Sequence, residues 1–362
     1  MSKIINNYNI HDFFLNLTNF LVTHRELWQD RPFYILPVPW EKKYPEVSSY
    51  LRKLSIENIE IIANILQQDV SLLGSVPDLP DLFIEWAHLS KKFTNIGDFP
   101  QKQFRTNYFN NFMHKVPGRK REQIESFIRT ILANSMPKVK NLVDWCSGKG
   151  HLGRILGKFT KMDVTFLELK SNLCAKGDEL ASIQKIKSKF IHTDVLEKDQ
   201  KYNIPPDSLA VALHACGDLS YRLISNSFKY NLKALAIAPC CYHYIKNSQY
   251  YKPLSELGKK NDLKLNQSHL RLATTQENIA KPFEKRKRRQ EMAWRIGFDL
   301  LQREVTGRDE YTPIPPFQPK LLSESFYSFC KILGTQHSVK LPKNFDYKDL
   351  EKKAWEKLGI IR

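Results

Sequence analysis

The chain has no stretch of about eighteen consecutive apolar residues, the length a membrane-spanning helix needs. Its start, Met1-Ser2-Lys3-Ile4-Ile5-Asn6-Asn7, is too polar for a secretory signal with an apolar core. No cysteine precedes Cys146, and only Cys146, Cys174, Cys216, Cys240, Cys241 and Cys330 follow. With no export signal in view, these thiols are expected to be reduced, in a soluble cytoplasmic protein. Internal repeats and low-complexity tracts are missing too, which leaves no sign of a solenoid. Acidic residues are short: 38 Asp and Glu face 56 Lys and Arg, a formal net charge of +18. That surplus favours a polyanionic partner, nucleic acid first; attraction to a membrane surface and mere solubility are the other readings.

The 362 residues suit two domains, and a hydrophobic fraction of 42% is enough to bury a sizeable core. The chain is organised around Val143 to Arg154, where an apolar run from Asn141 to Trp145 stops at Cys146-Ser147-Gly148-Lys149-Gly150. A helical pattern follows at Leu152, Ile155, Leu156 and Phe159. Strand, tight glycine turn and helix open a nucleotide-type βα unit. Gly148 is expected to turn the chain sharply, and Gly150 to let the backbone approach a ligand without a Cβ in the way.

Two ligands compete for that turn, beside a bland reading as a glycine turn with no ligand. Gly148-x-Gly150-x-x-Gly153 satisfies the dinucleotide fingerprint, and Glu168 ends the next apolar run. Against a dinucleotide, Asp144 ends the first strand, where a fixed negative charge repels a pyrophosphate and suits an amino group. Asp194 ends the third strand-like run, Phe190 to Val195, where an acceptor takes the exocyclic amine of adenine. A ligand with a cation at one end, a ribose, an adenine and no phosphate is S-adenosylmethionine. It is the preferred reading: Asp144 faces the methionine end, Gly148 and Gly150 make room with Cys146 beside them, Glu168 accepts from the ribose hydroxyls, and Asp194 with Val195 reads the adenine.

Five strands are expected near 140–145, 163–168, 189–193, 208–214 and 233–238, alternating with helices near 151–159, 171–187 and 218–229. That alternation implies a mostly parallel sheet covered on both faces. The first hundred residues read as helical, with Phe13, Leu17, Phe20 and Leu21, then Ile56, Ile59, Ile62 and Leu66, at helical spacing. They are expected to cap the catalytic domain, with substrate binding as the second reading; Trp28, Trp40 and Trp86 read as core or interface. A linker-like patch from Phe93 to Gln103 leads to an amphipathic helix marked by Ile124, Phe127, Ile128 and Ile131. Near the end, Lys281 to Arg289 is densely basic, either a solvated helix face or a phosphate-backbone contact. A helix through Met292, Trp294, Phe298 and Leu301, a proline-rich bend from Tyr311 to Pro319 and two more helical stretches close the chain.

Two clusters fall where strands four and five end: His214-Ala215-Cys216-Gly217-Asp218 and Pro239-Cys240-Cys241-Tyr242-His243. Ligands of open parallel sheets sit beyond those carboxyl ends. A zinc site has the right residue types, but adjacent Cys240-Cys241 is not the usual Cys-x-x-Cys spacing. A cysteine nucleophile at Cys240 needs an activated thiolate. The preferred reading is a shaped pocket without metal, in which His214 and His243 position the substrate while the cysteines pack. Methyl transfer is an in-line displacement, so orientation supplies much of the rate, and a base is needed only if the acceptor carries a proton that must leave. His214 is the first candidate for that role and Asp218 the next.

Taken in order, the glycine-turn, His-Ala-Cys-Gly and Cys-Cys-Tyr-His motifs resemble one branch of the S-adenosylmethionine-dependent methyltransferases. That branch includes the methyltransferase-domain part of the glutathione S-transferase C-terminal domain-containing protein and, more distantly, the tRNA acceptor-stem 2′-O-methyltransferases. The upstream run Met113 to Lys120 is similar to a segment found ahead of this domain, so the resemblance spans roughly residues 105–245. It implies a class I, Rossmann-like α/β fold with helices on both faces, preceded by a helical N-terminal domain. The cysteine/histidine zinc-finger region at the front of the tRNA enzymes has no counterpart here. The expectation is therefore a helical domain over 1–100 and a methyltransferase domain over 101–362 with a basic helical C-terminal extension. The expected activity is methylation of RNA by S-adenosylmethionine. Methylation of a protein or small molecule, and nucleoside binding without turnover, are the alternatives.

Overall fold

The computed structural model describes residues 9–30, 38–95, 101, 102, 109, 112, 113, 116, 118–134, 136–197, 202–246, 249–274, 282–308, 311, 314 and 317–361. Parts of several stretches marked in the sequence lie outside these: the polar start, 96–100 and 103 of the linker-like patch, 114, 115 and 117 of the upstream segment, Lys281, and 312, 313, 315 and 316 of the proline-rich bend. The chain divides into two compact units, 1–18 with 97–275 and 19–96 with 276–362.

The first unit holds a five-stranded parallel sheet: β1 Asn141–Trp145, β2 Asp163–Glu168, β3 Ser188–His192, β4 Leu209–Leu213 and β5 Ala234–Ala238. The order is β3-β2-β1-β4-β5. Alternation along each strand sorts side chains between two apolar layers. Leu142, Phe166, Leu209 and Val211 pack with Ile124, Ile128, Ile155 and Leu156, from the helices Gly118–Ala133 and His151–Thr160. Val143, Trp145, Leu167, Ala210 and Ala212 pack on the other face with Tyr202, Ile204 and Leu223. Each fully buried aliphatic side chain contributes roughly 1.5–3 kcal/mol, so both layers are needed to hold the sheet in place. The order reverses between β1 and β4, and β2 ends level with β3, Glu168 opposite His192. A crevice forms at such a switch point, beyond the carboxyl ends.

The second unit is helical. Ile62, Val70, Leu73, Leu79 and Ala87 form one core cluster, and Trp86 meets the Tyr44 ring edge-on at 4.8 Å, in keeping with a packing role. A separate cluster joins Trp294, Phe298 and Leu301 of the helix Pro282–Thr306 with Phe326, Phe329, Leu333, Leu350 and Ala354. Among the described residues this cluster draws only on positions beyond 291, because the apolar faces of the C-terminal helices close on one another. The expected boundary near residue 100 kept that third with the sheet; the compact units instead group 276–362 with 19–96. The basic run forms the first turns of Pro282–Thr306, where Arg289 pairs with Glu60 and Lys287 lies 4.9 Å over the Phe283 ring. Among the described residues no helix is long and apolar enough to cross a membrane.

Candidate functional site

The glycine turn after β1 bends through three left-handed residues, Cys146 at φ 59°, Gly148 at 58° and Gly150 at 67°. Ser147 N–H donates to the Leu167 carbonyl at 3.0 Å, tying the turn to β2. Glu168 ties it again: Oε2 accepts from Gly148 N–H at 2.8 Å and Oε1 from Lys170 N–H at 3.0 Å. One carboxylate thus clasps the turns that follow β1 and β2. A Cβ added at Gly148 would meet no atom within 4 Å, so the backbone there is open to an incoming group.

Beyond these turns lies a cleft of about 610 Å³, within the range of small-molecule and cofactor pockets. Cys146, Glu168, Asp194 and Val195 line it from the β1, β2 and β3 side, and His214, Cys216, Asp218, Cys240 and Cys241 from the β4 and β5 side. Asp194 Oδ1 accepts from Leu196 N–H at 2.9 Å, which fixes the loop after β3. A carboxylate at the end of β2 and another after β3, with an open glycine in the turn after β1 bound to the first of them, suit an adenosyl group.

Four expected site residues are placed otherwise. Gly148 is absent from the cleft wall and reaches it only through its N–H on Glu168. Asp144 is buried at 2% exposure and is absent from the cleft wall; its Oδ2 accepts from Gly153 N–H at 2.9 Å. It shares a sheet face with Leu142, so it points under the helix His151–Thr160 and satisfies one of that helix's unpaired N–H groups. Burial raises its pKa to about 7, against the opposing pull of the Gly153 N–H, Lys120 and Arg154. Gly150 does not make room for a ligand: a Cβ there would sit 2.7 Å from the Phe166 ring. Phe166 stacks on Phe190 at 4.2 Å, and Gly153 and Gly177 lie against the same two rings. His243 is also absent from the cleft wall; its ring packs 4.4 Å from the Tyr244 ring, and its buried Nδ1 has no hydrogen-bond partner among the described residues.

His214 does line the cleft, in a left-handed conformation at φ 66°. Its N–H donates to the Ala238 carbonyl at 3.1 Å, and its Nε2 lies 3.0 Å from Gln123 Oε1. With the amide oxygen accepting, Nε2 carries the proton and Nδ1 keeps the lone pair. Burial lowers its pKa, helped by Lys120 and Arg119, so the ring is neutral at neutral pH. Asp218 begins the helix Asp218–Asn226; its N–H donates to the Tyr244 carbonyl at 3.0 Å and its Oδ2 accepts from Lys246 N–H at 2.6 Å. Gly217 is required beside it, because a Cβ would fall 2.1 Å from the Tyr244 oxygen.

The thiols of Cys216, Cys240 and Cys241 lie together. Partial desolvation, then the neighbouring sulfurs of Cys216 and Cys241, push the surface-exposed Cys240 thiol up to about 12, so without a metal it is no ready nucleophile. Burial, then Glu168, raises the Cys146 thiol to about 12 as well. Sequence reading missed Lys170, Thr193, Leu196, Leu219, Tyr244 and Lys246 on the cleft wall. All six follow a strand end, from Thr193 directly after β3 to Lys246 well into the segment after β5, and that is the signal that marks them. Gln123, the partner of His214, lies 91 positions upstream and gave no signal.

Residues 119–248 match the family described as a methyltransferase domain. The human glutathione S-transferase C-terminal domain-containing protein is 30% identical over 148 residues, 39% of this chain and 22% of that protein. Its Xenopus laevis counterpart is 29% identical over 131 residues, 36% of this chain and 20% of that protein. A homologue in Drosophila pseudoobscura is 24% identical over 175 residues, 48% of this chain and 27% of that protein. This chain spans about a fifth to a quarter of the length of these relatives. A solved Escherichia coli protein, YjhP, is 14% identical with a TM-score of 0.27, covering 40% of this chain and 60% of its own, too slight a likeness to argue from.

Proposed function

With residues 119–248 forming a methyltransferase domain, we propose that the cleft binds S-adenosylmethionine and that the chain transfers its methyl group to RNA in the cytoplasm. The observation that carries the donor assignment is the placement of Glu168 and Asp194 on one cleft wall beyond β2 and β3, with open backbone at Gly148. Glu168 accepts from the ribose hydroxyls and Asp194 from the adenine amine. Buried Asp144 neither repels a pyrophosphate nor meets an amino group, so it drops out of the choice of ligand; Asp194 and the family match remain.

When bound, the donor supplies an electrophilic methyl on a positively charged sulfur. The chain's own part is to hold the acceptor in line and exclude water, and orientation of that kind is worth roughly 7–11 kcal/mol in favourable intramolecular models. His214 takes a proton at Nδ1 if the acceptor loses one, because Gln123 holds the other nitrogen. The net charge of +18 supports a polyanionic acceptor.

Incubation of the full chain with labelled donor and fractionated cell extract tests this reading. Label is expected in RNA and is expected to vanish after ribonuclease treatment. Label in protein or small molecules would replace the acceptor, and donor binding without transfer would replace the reaction.

A further inference from the structure

Three thiols from two different strand ends meet on one wall of the cleft. Cys216 follows β4, and Cys240 and Cys241 follow β5; their sulfurs all lie within 4.8 Å of one another. Cys216 Sγ is 3.1 Å from Cys240 Sγ, which is 3.5 Å from Cys241 Sγ. The sheet sets this arrangement: Leu213 pairs with Ala238, and His214 N–H binds the Ala238 carbonyl, so the segments leave the sheet level. A second feature is independent of the clustering. The backbone N–H groups of Cys240 and Cys241 both point at Cys216 Sγ, at 3.2 and 3.3 Å. A thiol sulfur is a weak acceptor, and two peptide donors converging on one sulfur suit a thiolate. Core packing does not account for the group, since Cys240 is exposed.

We propose that Cys216, Cys240 and Cys241 bind a zinc ion through three thiolates. Tetrahedral zinc with Zn–S bonds of about 2.3 Å places sulfurs ~3.8 Å apart, so each separation here, from 3.1 Å upward and none beyond 4.8 Å, lies within about an ångström of that value. Cys240 and Cys241 are adjacent in sequence, and the Cys-x-x-Cys pattern does not apply because the third ligand arrives from the neighbouring strand. No other His, Cys, Asp or Glu among the described residues joins the group. The ion therefore keeps one position for water or an acceptor atom, as catalytic zinc sites do. All three ligands line the cleft, so that position belongs to the cavity assigned above to the methyl donor. Metal binding rests on the thiol geometry alone and is read without any donor, so either assignment can fail while the other stands.

The test uses the full chain expressed in zinc-supplemented medium and purified without chelator. Elemental analysis is expected to give about one zinc per chain. Cys240 and Cys241 should resist alkylation in the native protein despite their accessibility and become reactive when a chelator is added; this arm needs no variant. Cobalt in place of zinc should show a thiolate-to-metal charge-transfer band. Cys240→Ser should cut the metal content at least about tenfold, whereas Cys174→Ala should leave it unchanged. Zinc content near zero after zinc dialysis, with alkylation rates indifferent to chelator, would overturn the proposal. So would an intact mass and peptide map showing a Cys216–Cys240 disulfide.

Discussion

Replacing Gly150 and Gly148 in turn by alanine separates packing from ligand binding at the glycine turn. At Gly150 the new Cβ would lie 2.7 Å from Phe166 and 3.0 Å from Phe190, rings held by mutual stacking, at a φ of 67°. Left-handed backbone costs roughly 1–2 kcal/mol in a residue with a Cβ, and overpacking adds about 1–3 kcal/mol, for a total of about 2–5 kcal/mol. Gly148 carries the same backbone cost but meets open space, so Gly148→Ala should cost only about 1–2 kcal/mol. Hydrogen exchange of the β1 amides at 142–145 reads the opening of this sheet without contributions from the helical unit. Exchange should accelerate about 30-fold to a few thousandfold in Gly150→Ala and about 5- to 30-fold in Gly148→Ala. Donor affinity should follow the opposite order, because only the Gly148 methyl projects into open space, next to the N–H that Glu168 of the cleft wall accepts. If Gly150→Ala exchanged at the wild-type rate and lost only donor binding, the assignment of Gly150 to the aromatic stack would be refuted.

Three further outcomes are expected. Burial raises the Asp144 pKa to about 7 in the folded chain, above the usual carboxylate value of about 3.9 in the unfolded one. Its contribution to stability is therefore full below about pH 4 and is lost as pH rises through 7; Asp144→Asn should flatten that slope in urea titrations at stepped pH. His214→Asn, which tolerates the left-handed backbone, should lower the methylation rate about 10²–10⁴-fold if the acceptor loses a proton. The wild-type acid limb should fall below the ordinary histidine value of about 6.5, and an unchanged rate in the variant would remove His214 from the chemistry. Lys285→Ala with Arg286→Ala, in the first turns of the basic helix, should reduce the salt dependence of RNA binding, by about 0.7 in logarithmic slope for each single-strand phosphate that the pair neutralises in the wild type. A slope equal to wild type would assign those side chains to solvent.

The sheet was legible because its strands are short apolar runs bounded by turn residues; the five expected runs match the observed strands to within a residue or so at each end. The positions of Glu168 and Asp194 were legible for the same reason, since acids ending such runs fall at the carboxyl edge. Side-chain direction was harder. Asp144 shares its face with Leu142, a parity visible in the sequence, yet the motif drew attention to the ligand instead. Gly150 and Gly153 carry no sign of what their missing Cβ atoms avoid until Phe166 and Phe190 are stacked beside them. The thiol cluster needs the β4–β5 register, which no local spacing encodes. Where the C-terminal helices belong depends on which apolar faces close together, and periodicity alone does not state the partner.

Calorimetric titration of the full chain with S-adenosylhomocysteine tests the central assignment most directly. One saturable site is expected, undisplaced by a nicotinamide dinucleotide and lost in Glu168→Ala. Displacement by the dinucleotide, or undiminished affinity in that variant, would contradict it.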